Sequence, residues 1–235
     1  MTLLRRLVDR VFPRGALILS ALTFGYFAMG ILRNRALANT FGAGPELDAY
    51  NAAFKIPEIA LDVLVAAGLT APFVPIFNSL RRRDEAAAHD FARTVLTVAV
   101  LVMAVVILVL FLVAPATVEI VAPSFDPATR QLYVELFRLM CGTPILFAAS
   151  IAIGEVLVAH QRFLFYALAP ILYTAGIVLG TVLFGHRYGI HATAAGAVLG
   201  AVAHLAIRTI GLLRTPFRIR PRLAIRTPAF REFVR

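Results

Sequence analysis

Long apolar stretches separated by short clusters of arginine dominate this sequence. A helix needs roughly 20 mostly apolar residues to cross a bilayer, and windows of that length give six candidates. They cover about 15–32, 56–77, 94–121, 132–158, 163–184 and 192–213. The sequence therefore predicts an all-α integral membrane protein with a bundle of six transmembrane helices over 15–213. A basic head, 1–14, precedes the bundle, and a basic tail, 214–235, follows it.

The composition excludes a soluble protein. Hydrophobic residues make up 60% of the chain and charged residues 15%, against roughly 45–50% and about 25% in ordinary globular proteins. The formal net charge of +10 would suggest nucleic acid in a soluble chain, but the arginines cluster between apolar segments, so membrane topology explains them first. The single cysteine excludes a disulfide framework. With no zinc-like spacing and no Ser/His/Asp set close in sequence, we predict no enzyme, metal, cofactor or nucleic-acid partner.

The arginines also predict the orientation, because short cytoplasmic loops carry an excess of basic residues. When the loops are assigned to alternating sides, the side that holds the head and the tail receives 17 basic residues and the opposite side six. Both termini are therefore expected in the cytoplasm, with the chain in the cytoplasmic membrane. The basic head and first apolar run could instead be a signal peptide. However, aromatic residues such as Phe24 and Phe27 stand where small cleavage-site residues belong, so a retained helix is expected.

Two acidic residues fall inside the second predicted span. Glu58 and Asp62 are four residues apart and share one helical face, and ionisable residues at membrane depth mark a cavity or an ion path by default. They can be read as a cavity-lining acidic pair. Alternatively, Glu58 is interfacial and only Asp62 is buried, paired with a base such as Lys55. The sequence leaves both interpretations open.

Other polar residues lie in the later spans. Glu155 in the fourth span is expected to pair with Arg162, seven residues on, or to belong to a proton relay. His204 and Arg208 are expected to mark the cytoplasmic end of the sixth span.

Two glycine pairs, Gly176/Gly180 and Gly196/Gly200, have the spacing that lets helices approach closely, and they predict packing of spans five and six. The prolines of the tail argue against one long helix there. Its arginines could bind anionic headgroups or serve only as an anchor.

The segment between spans one and two carries a more specific pattern. It reads Arg33-Asn-Arg35, then FGAG at 41–44, DAYNAAFKIP at 48–57 and APFVPIF at 71–77. In order and spacing, this resembles the MurJ/MviN family of lipid II flippases. That family lies within the multidrug, oligosaccharidyl-lipid and polysaccharide exporter (MOP) superfamily. The resemblance covers essentially the whole chain and implies the fold of the N-terminal lobe of such a flippase.

The resemblance implies transport by alternating access, in which two helical lobes rock about a central cavity that carries a lipid-linked peptidoglycan precursor across the membrane. Arg33 matches a cavity arginine of the family, Asp48 its acidic position after FGAG, and Lys55 its basic residue in AFK. A guanidinium suits such a ligand because it binds phosphate bidentately. Together with Glu58 and Asp62, these are the predicted substrate-binding residues.

Three departures from the family pattern qualify this expectation. Phe27 and Leu61 stand where the family often has arginine, and Asp62 adds an acid. The family has about fourteen spans, whereas six are predicted here, so a second lobe or a homodimer is expected to complete the cavity. A half-size exporter of another polyprenyl-linked glycan and a truncated scaffold without transport are the alternatives.

We predict that reporter fusions will place residues 81–83 and the tail inside the cell and the loop around Asp126 outside. The expectation rests on the arginine distribution, which sets the orientation of short loops. Fusions of a periplasmically active enzyme and of a cytoplasmically fluorescent protein at each loop measure it. A tail found outside the cell would contradict the even number of spans.

Overall fold

The computed structural model describes residues 14–66 and 70–234, and its elements are helical throughout those ranges. The predicted head, 1–14, lies outside the described residues except for Arg14, with which the first helix begins. The helices are α1 Arg14–Phe41, α2 Pro45–Leu64, α3 Phe73–Arg81, α4 Glu85–Leu112, α5 Ala114–Val121, α6 Pro127–Met140, α7 Thr143–Ala159, α8 Phe163–Leu179, α9 Gly185–Tyr188, α10 Ile190–Leu212 and α11 Pro228–Phe233. A π-helical segment, Gly180–Phe184, joins α8 to α9.

Five helical stretches in the described ranges are long and apolar enough to cross a membrane. They are Leu17–Phe41, Glu85–Leu112, Pro127–Ala159, Phe163–Tyr188 and Ile190–Leu212. The prediction of an all-α, multi-pass membrane bundle is therefore confirmed. Helix α2 has 20 residues, about the length a span requires. Its charged residues make it less apolar than the other five stretches. The exact boundaries of the six predicted spans stay a prediction.

The second predicted span, 56–77, differs most from the structure. Instead of one helix, α2 begins at Pro45 and ends at Leu64, and α3 begins at Phe73. Pro72 occupies the N-cap of α3, and Pro75 lies in the first turn of that helix. Proline lacks the N–H that a helix interior requires, whereas the first turn needs no such donor. The prolines therefore favour a new helix at this point over the continuation of α2.

The outer surface of α4 shows how the bundle meets lipid. Leu101, Val105, Leu108 and Leu112 repeat at helical spacing and are 49%, 62%, 59% and 68% exposed. A soluble protein rarely exposes so continuous an apolar strip. In a bilayer, however, the same strip faces hydrocarbon at no cost. Helix α4 thus turns one face to the lipid while its other face packs against α3 and α7.

The closest helix contact joins α8 to α10. A Cβ on Gly176 would lie 2.6 Å from the carbonyl oxygen of Gly196, and one on Gly180 would lie 2.5 Å from that of Ala192. Gly200 similarly faces the backbone of Tyr173. Backbone therefore meets backbone, and the predicted packing of spans five and six through their glycines is confirmed.

The basic tail folds back along α4. The backbone N–H of Arg222 donates to Thr97 Oγ1 at 3.1 Å, and that of Ala224 to Thr94 Oγ1 at 3.2 Å. An ion pair of 3.0 Å joins Arg222 to Asp90. Phe217 and Phe233 are buried in a cluster with residues of α3 and α4. The tail is therefore a packed part of the fold as well as a run of arginines.

We predict that Gly196→Ala will destabilise the protein, because the new methyl group would meet the backbone of α8 at 2.5 Å. Overpacking of this kind costs about 1–3 kcal/mol. Gly30→Ala in α1 is the matched control, since nothing lies within 4 Å of its added Cβ and alanine favours helix by about 1 kcal/mol. Unfolding in mixed micelles measures both variants. Equal midpoints for the two would contradict the close approach.

Candidate functional site

A cavity of about 620 Å³ opens between α1, α2, α7, α8 and α10. Four of the five predicted binding residues line it, namely Arg33, Lys55, Glu58 and Asp62. They come from two helices, with Arg33 on α1 and the other three on consecutive turns of α2. The helical spacing i, i+3, i+7 from Lys55 to Glu58 and Asp62 places the three on one face, so this part of the cavity follows from the sequence of α2.

Asp48 lies elsewhere. It stands in the first turn of α2, is exposed, and is absent from the cavity lining. A carboxylate in the first turn is favourable because the N-terminus of a helix carries a partial positive charge. The structure therefore separates Asp48 from the other predicted binding residues and gives it a local role at the start of α2.

Arg33 presents a cation to the cavity. Its Nε and Nη2 donate to Asn34 Oδ1 at 3.2 and 3.0 Å, and its side chain is half-buried. The partner is a neutral amide, so the contact orients the guanidinium without neutralising it. Arg35, two residues on, is exposed and outside the lining. Of these two arginines, the structure brings only Arg33 to the cavity.

Glu58 and Asp62 face the same cavity and are both exposed. Among the residues that the structure describes, no ion pair within 4.0 Å joins either carboxylate to Lys55 or Arg33. The expected pairing of a buried Asp62 with Lys55 is therefore not present. The cavity holds two cations and two carboxylates that are free to meet other groups. Over 14–66 and 70–234, no group of three or more His, Cys, Asp and Glu side chains could hold a metal ion.

Aromatic rings form a further part of the cavity wall, and sequence reasoning missed them. The Tyr50 and Phe54 rings meet edge to face at 5.1 Å, and those of Phe147 and Tyr173 at 4.9 Å. Tyr26 of α1 completes the set. Tyr50 and Phe54 lie in the same 48–57 segment as Lys55, so their spacing along α2 was the available signal. The rings of α7 and α8 carry no comparable sequence signal.

Glu155, His204 and Arg208 are buried between helices, which corrects two expectations. Arg162 does not pair with Glu155, since it is exposed and donates to the carbonyl of Arg214. The buried cation in this part of the bundle is Arg208, which lies 53 residues after Glu155 and is 5% exposed. Among the described residues, no ion pair within 4.0 Å joins it to Glu155. His204 and Arg208 therefore lie within the bundle, where they bind α7 and α8, and are not exposed at the helix end.

Arg208 also supplies a hydrogen-bond donor that α8 lacks. Pro170 lies inside α8 and cannot donate to the carbonyl of Tyr166, one turn before it. Nη2 of Arg208 donates to that oxygen at 3.4 Å, and Nη1 donates to the carbonyl of Ser150 at 2.8 Å. The guanidinium lies over the Tyr166 ring, 4.7 Å from its centroid. One side chain of α10 thus donates hydrogen bonds to both α7 and α8 behind the cavity.

Together, these residues can bind an amphiphile that carries charge. Arg33 and Lys55 suit an anion such as a phosphate, and the carboxylates suit an amine. The aromatic rings suit an apolar or ring-shaped portion. Unpaired charges in a membrane protein normally face such a cavity or a water-filled path.

Comparison with known proteins identifies the family. A family model described as lipid II flippase MurJ matches residues 37–235. A probable lipid II flippase MurJ from Borreliella burgdorferi is 24% identical over 213 residues, which cover 90% of this chain and 42% of that protein. Its counterpart from Rickettsia prowazekii is 27% identical over 158 residues, 66% of this chain and 31% of that protein. The chain thus spans less than half the length of these curated relatives.

Solved structures share the fold. A lipid II flippase MurJ in an inward closed conformation superposes with a TM-score of 0.75 at 18% identity, over 93% of this chain and 46% of that one. A MOP superfamily transporter from Pyrococcus furiosus, whose binding pocket is described as having reverse polarity, gives 0.71 at 16% identity, over 94% and 50%. The fold is therefore that of one lobe of such transporters. Since the family model matches most of the chain, the chain belongs to the lipid II flippase MurJ family.

Proposed function

We propose that this chain forms one lobe of a lipid II flippase and that its cavity binds the diphosphate of a lipid-linked peptidoglycan precursor. The observation that carries the proposal is the placement of Arg33 and Lys55 on the wall of a cavity inside a membrane bundle. The homologous proteins are described as probable lipid II flippases, which suggests the substrate class. The lobe acts as a transporter and not as an enzyme.

Arg33 is the principal anion-binding group in this proposal. Its guanidinium is oriented by Asn34 and has no carboxylate partner within ion-pair distance among the described residues. A guanidinium can hold two phosphate oxygens at once, and the partly desolvated wall strengthens the attraction. Lys55 adds a second, mobile charge from α2. Both cations lie on the same two helices that carry the family-like segment.

Glu58 and Asp62 add negative charge to the cavity, which also carries two cations. Their carboxylates lie one turn apart on the α2 face that also presents Lys55. A lipid-linked precursor with a peptide portion carries amino as well as phosphate groups, and these carboxylates suit the amino groups. They also repel a diphosphate that binds out of register. The cavity therefore favours a ligand with both charges at a defined separation.

A second candidate function is the export of another lipid-linked glycan. Leu61 lines the cavity where the family often has arginine, and Phe27 is exposed outside it. The two carboxylates match the two cations in number. The Pyrococcus furiosus transporter of the same fold, with its reverse-polarity pocket, supports a different cargo on such a scaffold. Binding measurements with diphosphate lipids that differ in their head groups separate the two candidates.

The transport cycle in this proposal requires an opposing lobe. The five helices around the cavity supply one wall, and alternating access needs a second wall that closes each side in turn. A further lobe of the transporter or a second copy of this chain would supply it. In this proposal the arginine-rich tail, which packs against α4, lies on the cytoplasmic side, as the distribution of basic residues predicts.

We predict that Arg33→Ala will weaken the binding of a polyprenyl diphosphate lipid roughly tenfold to hundredfold. The expected loss corresponds to a hydrogen-bonded charge worth about 1.5–3 kcal/mol. Arg35→Ala is the matched control, because this arginine lies two residues away and outside the cavity. Binding to the protein in nanodiscs measures the effect. Equal affinities for wild type and Arg33→Ala would refute the assignment.

We also predict that the chain alone does not move such a lipid across liposomes. One wall cannot seal the cavity on either side, and charges such as Arg33 and Asp62 would face hydrocarbon without a partner at several kcal/mol in total. The exposure of a labelled lipid to an external quencher measures transport. Transport restored by an opposing lobe would support the proposal, whereas rapid transport by a proven monomer would contradict it.

A further inference from the structure

A buried polar cluster lies directly behind the cavity wall, between α7, α8 and α10. It contains Glu155, His204 and Arg208, which are 8%, 5% and 5% exposed. His204 belongs to this cluster and also lines the cavity. A ligand in the cavity therefore meets the cluster through one imidazole ring.

The hydrogen bonds of His204 define which ring nitrogen is left without a partner among the described residues. Nδ1 lies 2.8 Å from Ser150 Oγ, and the Ser150 hydroxyl also reaches the backbone oxygen of His204 at 3.4 Å. A hydroxyl has one hydrogen. Both bonds form together when Nδ1–H donates to Oγ and the hydroxyl donates to the carbonyl. Nε2 then carries the free lone pair, and no described residue occupies it.

This arrangement can accept a proton without breaking a bond. Protonation at Nε2 leaves Nδ1–H donating to Ser150, as an imidazolium requires. The ring is held by Phe147, which packs against it edge to face at 5.0 Å.

Arg208 fixes a positive charge one turn away on α10. Its guanidinium donates to the Ser150 and Tyr166 carbonyls, while its buried Nε has no partner in the described part of the chain. Gly154 makes this position possible, since a Cβ there would lie 2.6 Å from Nη1. The cation cannot withdraw from His204, so an imidazolium needs a compensating negative charge.

Cations and carboxylic acids both lie around His204. The titratable and charged side chains on the elements that face the cluster or cavity are Arg33 and Tyr26 on α1, Tyr50, Lys55, Glu58 and Asp62 on α2, Glu155 on α7, Tyr166 and Tyr173 on α8, and Arg208 on α10. Three of these side chains are cations and three are carboxylic acids, and burial disfavours the charged form of Glu155. A protonated His204 would add a further positive charge to this region, whereas a bound dianion would attract it.

We propose that His204 is a proton-binding site whose proton binds together with an anionic ligand. When a diphosphate enters the cavity, a solvent hydronium ion gives its proton to the Nε2 lone pair: the Nε2–H bond forms, one O–H bond of the hydronium breaks, and a water molecule is left. When the ligand leaves, the reverse transfer returns the proton to a solvent water molecule. The inference rests on the proposed diphosphate binding by this cavity and adds that each ligand bound takes up one proton at His204.

A pH series of ligand binding tests the proposal. The probe is polyprenyl-diphospho-N-acetylglucosamine, a diester whose two phosphate charges stay constant between about pH 5.5 and about pH 8. Its binding to the whole chain in neutral-lipid nanodiscs is expected to weaken with rising pH by up to about tenfold per unit, the limit for one linked proton. His204→Gln is expected to remove this dependence. His191→Gln, on the exposed part of the same helix, is expected to keep it.

Calorimetry in buffers of different ionisation enthalpy counts the protons directly. Near neutral pH, wild type is expected to take up as much as one proton per ligand and His204→Gln none. Ser150→Ala retains the imidazole but loses its Nδ1 partner, so its pH dependence should shift to lower pH, which keeps the test valid if His204→Gln misfolds.

Three results would overturn the inference in distinguishable ways. Binding by wild type at constant affinity and without proton uptake would remove the proton site and leave the diphosphate site standing. Failure of wild type to bind the probe at any pH would remove both. A pH dependence that survives His204→Gln would assign the proton to another group.

Discussion

The backbone contact between α8 and α10 is the constraint on which the site depends. The facing glycines let these helices approach until carbonyl groups lie against opposite Cα atoms, and this closeness sets the positions of Tyr173 and His204 in the cavity wall. In a bilayer, helix association gains little from the hydrophobic effect, because lipid is as apolar as a leucine. Close packing and polar contacts supply the attraction instead, and Arg208 contributes polar contacts.

Much of the fold could be predicted from hydropathy, and each prediction that failed did so for a specific physical reason. The five long apolar helices appear as apolar runs, because each must match the bilayer thickness. Helix α2 was displaced by eleven residues at its start, since its first half carries charged side chains and looks like a loop. The Glu155–Arg162 pairing was wrong because proximity along the chain was the only guide, whereas the buried cation of this region, Arg208, comes from α10.

Only the part of the cavity formed by residues that are close together in the sequence was predicted. Arg33, Lys55, Glu58 and Asp62 are near one another in sequence, and a resemblance or a helical spacing finds them. His204, Phe147 and Tyr173 come from helices whose rotation depends on tertiary packing, and nothing in a single sequence fixes that. The sequence feature that this part of the wall does share is proline. Pro57, Pro144 and Pro170 all line the cavity, each in a helix that lacks one backbone N–H.

The folded-back tail has a consequence for biosynthesis. The partner of Ala224 is Thr94, 130 residues earlier in the chain, and at about 5–20 residues per second a ribosome takes on the order of ten seconds to make that interval. During this time, Phe73 and Phe91 lack the Phe233 ring that packs against them in the finished protein. The α3–α4 end of the bundle thus gains this aromatic packing only after α10 has been synthesised.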